Sequence, residues 1–509
     1  MGNTAAQEIA AGYATEGAAL ELGAVVIDGV VDPTAKVRIP FATLNRHGLV
    51  AGATGTGKTK TLQGLAGQLS DAGVPVLLAD VKGDLSGMAR AGESNPKIAS
   101  RATDTGDDWT PTAYPAEFLS LGGKSSAIPV RATLTQFGPI LLSKVLQLND
   151  TQESTLGLIF HWADQQQLPL LDTKDLRAVI QHLTSDEGKA DIKGIGGVSP
   201  ATAGVILRSL VNLEAAGGED FFGEPEFVPS DLLRVIDGKG VVSLLELSDQ
   251  AANPRLFSTF LMWLLAELYE ELPEAGDLDK PKLVFFFDEA HLLFNDASKA
   301  FLERIEQTVK LIRSKGVGVF FCTQLPTDIP NAVLSQLGAR VQHALRAFTP
   351  EDQTALAKTV KTYPTTKNYD MEKALTSLGT GEAIVTVLSE TGAPTPVAWA
   401  RMRAPRSLMA AIGEEAVTAA AHASPLFGKY GETVDRESAY EKLTAKMAAP
   451  PAPAPADAPA PPPPARREKE QPGMIAEVLG SPAVKSFLRS AASSLGREIT
   501  RGLFGTRRR

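Results

Sequence analysis

Cysteine is almost absent. Cys322 is the one thiol in 509 residues, so no disulfide can close within the chain and a reducing compartment is expected. Long apolar runs are missing too. The longest candidate, Phe260 to Ala266, is far too short to cross a bilayer. The N-terminus lacks the charged-then-apolar pattern of a secretory signal. Met1-Gly2 would suit a myristoylation start, but Ala6 stands where Ser or Thr is needed. A cytoplasmic protein with no membrane span is therefore expected. Nor is there an excess of positive charge. The net charge is −9, so the overall balance does not demand nucleic acid, although a pore or groove can still be locally basic. The apolar and charged fractions, 43% and 21%, are those of an ordinary folded protein. The length suits roughly two to four domains.

What is present is concentrated between Gly48 and Lys60. Gly52-Ala53-Thr54-Gly55-Thr56-Gly57-Lys58-Thr59 fits the G-x-x-x-x-G-K-[ST] phosphate loop at every position. A short apolar run, His47 to Val50, precedes it. Leu62, Leu65, Ala66 and Leu69 follow at helical spacing. The glycines thus fall where a strand turns into a helix. There, unpaired N–H groups and the positive end of the helix dipole attract phosphate oxygens. Gly52 through Lys60 are the candidate nucleotide contacts. Lys58 is expected to reach the β- and γ-phosphates of ATP, and Thr59 to hold Mg2+.

A second signature lies far along the chain. Leu283 to Phe287 is a continuous apolar strand ending in Asp288-Glu289. Asp288 is expected to bind Mg2+, directly or through water, and Glu289 to deprotonate the attacking water. Asp288-Glu289-Ala290-His291 also spells the box of a large helicase class. Such enzymes carry two RecA-like halves in one chain, and no second half is visible, so His291 reads as a helix-start residue. Val317 to Cys322 is another buried strand, ended by Gln324, which could hydrogen-bond the γ-phosphate and report its loss. Cys322 itself reads as a small core residue. Val74 to Asp80 forms a further strand, with Lys82-Gly83-Asp84 directly after it. Asp80 and Asp84 would face the same sheet edge, or simply mark a polar exit from the strand.

In order, residues 1–45 read as a β-rich lead-in and 46–130 as the first part of an α/β core. Residues 104–130 look turn-rich and poorly periodic. Residues 131–238 read as an all-helical insertion, with Asp150 and Ser199 as helix caps. Residues 239–400 read as the second part of the core, with seven candidate strands in all. Residues 401–447 read as helical. Residues 448–473 are an Ala/Pro-rich linker with no core-forming capacity. Residues 474–509 form a basic amphipathic tail: Lys485, Arg489, Arg497, Arg501 and Arg507 to Arg509 against Glu477 and Glu498 give +5. Its apolar stripe points to docking on the body of the protein. Binding DNA phosphates or lying on an anionic membrane surface are the alternatives. The expected fold class is α/β, a RecA-like core with a largely parallel sheet, a helical insertion and a C-terminal helical tail.

The order of these motifs resembles the HerA and FtsK group of hexameric P-loop ATPases, and more closely bacterial HerA-like proteins assigned only a domain of unknown function. The resemblance rests on Asn45 to Thr59, on Ala79-Asp80-Val81-Lys82-Gly83-Asp84-Leu85, and on Tyr430 followed by Asp435-Arg436-Glu437-Ser438-Ala439-Tyr440-Glu441. It covers about residues 10 to 445, and more loosely the tail. It implies an ATPase that assembles as a homo-oligomeric, six-membered ring, with DNA translocation or unwinding as its work. The alternative is an ATP-dependent switch or scaffold ring acting on an unknown protein partner. The resemblance also implies an arginine acting on the neighbouring subunit's site. The group's pattern puts it just before the Gln strand, which points to Arg313 with Arg340 in reserve. Arg313 could equally be a helix C-terminal cation favoured by the dipole. The N-terminal barrel of archaeal HerA is not recognisable at full length in the short lead-in.

Overall fold

The structure is a computed structural model that describes residues 2–122, 126–247, 254–276, 278–294 and 299–448. Its strands are β1 (Ala19–Ile27), β2 (Val30–Pro40), β3 (Gly48–Ala51), β4 (Val76–Asp80), β5 (Ala116–Leu121), β6 (Ile128–Val130), β7 (Val235–Ile236), β8 (Lys239–Gly240), β9 (Val242–Glu246), β10 (Leu283–Phe287), β11 (Val317–Thr323), β12 (Ala339–Gln342), β13 (Glu382–Val387) and β14 (Ala398–Met402). All but the β7–β8 hairpin join one 12-stranded sheet, in the order β2-β1-β14-β13-β12-β3-β11-β10-β4-β9-β5-β6. From β12 to β6 every neighbouring pair is parallel. From β12 to β2 the pairing is antiparallel. The lead-in strands β1 and β2 are therefore an extension of the main sheet, preceded by a helix over Gly2–Ala11.

The parallel strands are apolar throughout because both faces are covered. Side chains alternate between two cores, as the pleat requires. Phe285, Phe287 and Phe321 pack with the helices Leu134–Leu146, Pro254–Glu271 and Lys299–Ile312. Val284, Phe286, Phe320 and Cys322 pack with Leu62, Leu65 and Leu69 of the helix Lys58–Asp71 and with the antiparallel strands. The phenylalanines stack in register across β10 and β11, Phe286 with Phe320 at 5.4 Å and Phe287 with Phe321 at 5.5 Å. This register fixes the carboxyl ends of both strands relative to each other.

The sheet has more strands than the seven expected. Residues 104–130 hold β5 and β6 in place of a turn-rich stretch. β6 is three residues long and carries Pro129, and β2 carries Pro33 and Pro40. Both are edge strands, the positions where a residue without an N–H can be accommodated. Proline broke the strand pattern in the sequence for a reason that only the sheet order discloses.

Between β6 and β7 lie the helices Leu134–Leu146, Asp150–Gln165, Thr173–Thr184, Asp186–Asp191 and Pro200–Ala215. Ser199 caps the last of these by accepting from the Thr202 N–H. The cap expected at Asp150 sits one residue earlier. Asn149 has extended backbone and accepts from the Gln152 N–H at 3.0 Å, while the Gln152 side chain accepts from the Asn149 N–H at 3.0 Å. Asp150 falls inside the first turn, where the dipole favours its charge.

After β14 the helices Glu414–Ala423 and Pro425–Tyr430 pack against β5 and β6 at the edge of the sheet, and Ala439–Ala448 packs on the helix Thr173–Thr184. Tyr430 is fully buried. Its hydroxyl donates to Asp231 and accepts from the Val228 N–H at 3.1 Å, and its carbonyl accepts from Arg131 at 2.9 Å. Tyr430→Phe strands the Val228 N–H and leaves the Asp231 carboxylate with Lys429 (2.7 Å) as its remaining donor. It is expected to lower unfolding stability by about 1–3 kcal/mol in denaturant titration, without changing nucleotide affinity. The linker (448–473, beyond Ala448) and the basic tail (474–509) lie outside the described residues.

Candidate nucleotide site

The site is built on the carboxyl ends of β3, β10, β11 and β12. β3 runs out at Ala51 and the chain turns at Gly52. The Gly52 N–H donates to Thr323 O (3.2 Å) at the end of β11, and the Ala53 N–H donates to Ala344 O (2.8 Å) just past β12. The loop is thus pinned between its two neighbouring strands. Gly52 has φ +149, and a Cβ there would come within 2.6 Å of the His343 Cβ. Gly57 has φ +115 and would press a Cβ to 3.2 Å from Gly381. Only glycine takes both the backbone and the contact. Gly57 also starts the helix Lys58–Asp71 without any side-chain cap, so the first N–H groups of the helix remain open to an anion.

Lys58 bends back over the loop and donates to Gly52 O at 2.6 Å and Ala53 O at 3.2 Å. Thr56 donates to Ala53 O at 2.7 Å, Thr54 and Gly55 are exposed at the loop tip, and Thr59 follows Lys58 in the first helical turn. Lys60 departs from the set. Its ammonium donates to Met409 O (2.9 Å) and Gln63 Oε1 (3.2 Å), so its side chain braces the segment after β14 instead of facing the loop. Burial holds it below the usual lysine value, partly offset by Asp84 and Asp80.

Asp288 and Glu289 end β10, two strands from β3 across β11. Burial, then the neighbouring Glu289 charge, push the Asp288 carboxyl above its ordinary value. Glu289 has φ +48, a left-handed backbone that costs a β-carbon residue energy. Its Oε2 is buried without a hydrogen-bond partner, although His291 Nδ1 lies 3.4 Å away. Lys82, just past β4, reaches Glu289 Oε1 at 3.9 Å. Cys322 is buried beneath, and its thiol hydrogen-bonds to Asp288. Burial, then that charge, push the thiol well up, so it stays protonated. Gln324 is exposed one residue past β11, between the phosphate loop and the acidic pair.

Asp80 is 2% exposed and accepts from the N–H groups of Lys82 (3.3 Å), Gly83 (2.8 Å) and Leu85 (2.9 Å). Its carboxylate shapes the turn that carries Lys82. This is the polar strand exit, with a consequence for the site: it sets Lys82 beside Glu289. Arg313 and Arg340 lie elsewhere. Arg313 is exposed at the start of β11, the opposite edge of the sheet from the loop. Its charge is felt by His47, at the foot of β3. Arg340 is tied to Thr362 O (2.9 Å) and Leu334 O (3.5 Å).

His343 and Arg346 belong to the site and carry no motif that would have marked them. His343 is fully buried beneath the loop. Its Nδ1 donates to Glu382 O at 2.8 Å, which leaves Nε2 to accept from the Thr61 hydroxyl at 2.9 Å. Burial pushes its pKa down to about 4, so it supports the loop as a neutral ring. Arg346 donates to Thr54 O at 3.2 Å.

The protein-family model described as Helicase HerA-like C-terminal matches residues 28–509. The DNA double-strand break repair helicase HerA of Sulfurisphaera tokodaii (strain DSM 16993 / JCM 10545 / NBRC 100140 / 7) is 23% identical over 376 residues, 71% of this chain. The chain spans 66% of that relative's length. Among solved structures, the bacterial conjugative coupling protein TrwBdeltaN70 aligns with TM-score 0.51 at 15% identity, covering 80% of this chain and 93% of its own. The plasmid coupling protein TrwB in complex with ADP and Mg2+ aligns with TM-score 0.52 at 14% identity, over 80% and 93%. The fold is accordingly that of a RecA-like P-loop ATPase, with a mixed, mostly parallel sheet. No helix among the described residues is long and apolar enough to cross a membrane. With nearly the whole chain inside the family match and the phosphate loop and acidic pair on one sheet edge, this protein belongs to the HerA-like helicase C-terminal family.

Proposed function

We propose that this chain is an ATP-hydrolysing motor subunit that assembles as a hexameric ring and translocates or unwinds DNA. Glu289 carries the hydrolytic part. It combines a left-handed backbone with a buried carboxylate oxygen that accepts no hydrogen bond, at a strand end two strands from the phosphate loop. Both features cost stability, and a glutamate with only a packing role has no use for either. Glu289 would take the proton of the water that attacks the γ-phosphorus. Lys58 would exchange its two carbonyl partners for β- and γ-phosphate oxygens. Gln324 would hydrogen-bond the γ-phosphate and sense its departure. Lys82, at 3.9 Å, pairs with the other carboxylate oxygen of Glu289.

The donor set fits Mg2+. Thr59 and Asp288 offer hard oxygen ligands, and among the described residues no cluster of three or more His, Cys, Asp or Glu could form an all-protein cage. Mg2+ is commonly held this way, by one or two protein oxygens together with phosphates and water. When bound it would neutralise charge on the β- and γ-oxygens.

DNA as the substrate rests on the family and on the name of its archaeal relative, a DNA repair helicase. The test is the ATPase rate with and without double- and single-stranded DNA, alongside particle mass by light scattering. Stimulation by DNA of a particle of about six subunits is expected. A stable ring whose turnover ignores DNA would instead favour a switch acting on a protein partner.

A further inference from the structure

Phe348 is 84% exposed, the most exposed large apolar residue among the described residues. A single apolar side chain in water is ordinary. The setting of this one is not. The chain leaving β12 is bound to the phosphate loop step by step: the Ala53 N–H donates to Ala344 O at 2.8 Å, and Arg346 donates to Thr54 O at 3.2 Å. Phe348 comes two residues later, about 7 Å of extended chain at most. Its backbone is then fixed by the helix start. Asp352 accepts from the N–H groups of Phe348 (3.1 Å) and Thr349 (3.0 Å), and Thr349 Oγ1 accepts from the Asp352 N–H (3.1 Å). The ring is held out into water by a rigid backbone.

The sheet order says what such a ring would meet. Asp288 and Glu289, on β10, lie to one side of β3, and β12 lies to the other. A nucleoside triphosphate lying across these strand ends with its terminal phosphate at the acids carries its base on the β12 side. We propose that Phe348 is the stacking platform for the purine base of the bound nucleotide, with Arg346 as the residue that positions its segment on the loop. A planar base covers an aromatic face and removes it from water, which accounts for a phenylalanine left 84% exposed by the described residues. The proposal rests on the phosphate-loop reading above.

The test compares two ligands on the full-length protein with Mg2+: ATP, and inorganic tripolyphosphate, which has the phosphates and no base. Phe348→Ala is expected to weaken ATP binding about tenfold and leave tripolyphosphate binding unchanged, and Phe348→Trp to restore ATP affinity. Unchanged ATP affinity in Phe348→Ala overturns the proposal. So does an equal loss for both ligands, which would place Phe348 in assembly or loop support. A wild-type protein that binds tripolyphosphate as tightly as ATP rejects the base platform but keeps the phosphate loop. A wild-type protein that binds neither ligand rejects both readings.

Discussion

Glu289→Gln is expected to cut ATP hydrolysis by about 10²–10⁴-fold while ATP still binds. The substitution keeps the shape of the side chain and removes the base. It also removes the charge facing Lys82 at 3.9 Å and the repulsion that helps raise the Asp288 carboxyl. Neither change touches the phosphate loop, so nucleotide affinity should hold. Lys58→Ala gives the opposite pairing of results. The loop keeps its strand-end hydrogen bonds at Gly52 and Ala53, but the phosphates lose their main cation, so binding and turnover fall together. Equilibrium binding of ATP and single-turnover hydrolysis, measured on both variants, separate the two roles. A Glu289→Gln protein with wild-type turnover would remove Glu289 from the chemistry. The position is also a backbone test. Glu289→Gly relieves the left-handed strain at φ +48 and, like the glutamine, lacks the base. It should be no less stable than Glu289→Gln, and equally inactive.

The parts of this site that the sequence disclosed share one property: each is a local string whose chemistry depends on adjacent residues. The phosphate loop needs glycines and a lysine within one turn of chain, and Asp288-Glu289 needs only an apolar strand before it. His343, Arg346 and Lys82 need strand order. His343 supports the loop because β12 pairs with β3, although some 290 residues separate them in the chain. Lys82 reaches Glu289 because β4 neighbours β10. No periodicity or spacing contains those adjacencies. The fold shows the same division. The buried parallel strands announced themselves as apolar runs such as Leu283–Phe287. The edge strands β2 and β6 were hidden by Pro33 and Pro129, which are tolerated there because an edge leaves one side of the ladder unpaired. The cap at Asn149 was misplaced by one residue for a related reason. Asn149 and Asp150 are both good caps, and the decision falls to backbone angles that composition does not carry.

Mixing two inactive proteins is expected to restore activity. Arg313 stands at the start of β11, and Thr323, beside the phosphate loop, at its end. Seven residues of strand separate the two edges by about 23 Å. Arg313 therefore cannot touch the nucleotide of its own subunit. If it serves catalysis at all, it does so on a neighbour. An arginine supplied in trans stabilises charge developing on the transferred phosphoryl group and is worth about 10³–10⁵ in rate. Arg313→Ala rings should then bind ATP and turn over slowly by that factor, while Lys58→Ala rings fail through binding. In a mixed ring, some interfaces pair an intact phosphate loop from an Arg313→Ala subunit with an intact arginine from a Lys58→Ala subunit. Those interfaces hydrolyse ATP, so the mixture exceeds either parent once subunits exchange. Exchange is followed by fluorescence transfer between labelled copies. Proven exchange without recovery removes Arg313 from the site and leaves it as a cation at the end of the helix Lys299–Ile312, where the dipole favours it. Arg340 is the weaker candidate for the same role, because its guanidinium is already committed to the Thr362 and Leu334 carbonyls and would have to release both to cross a subunit boundary.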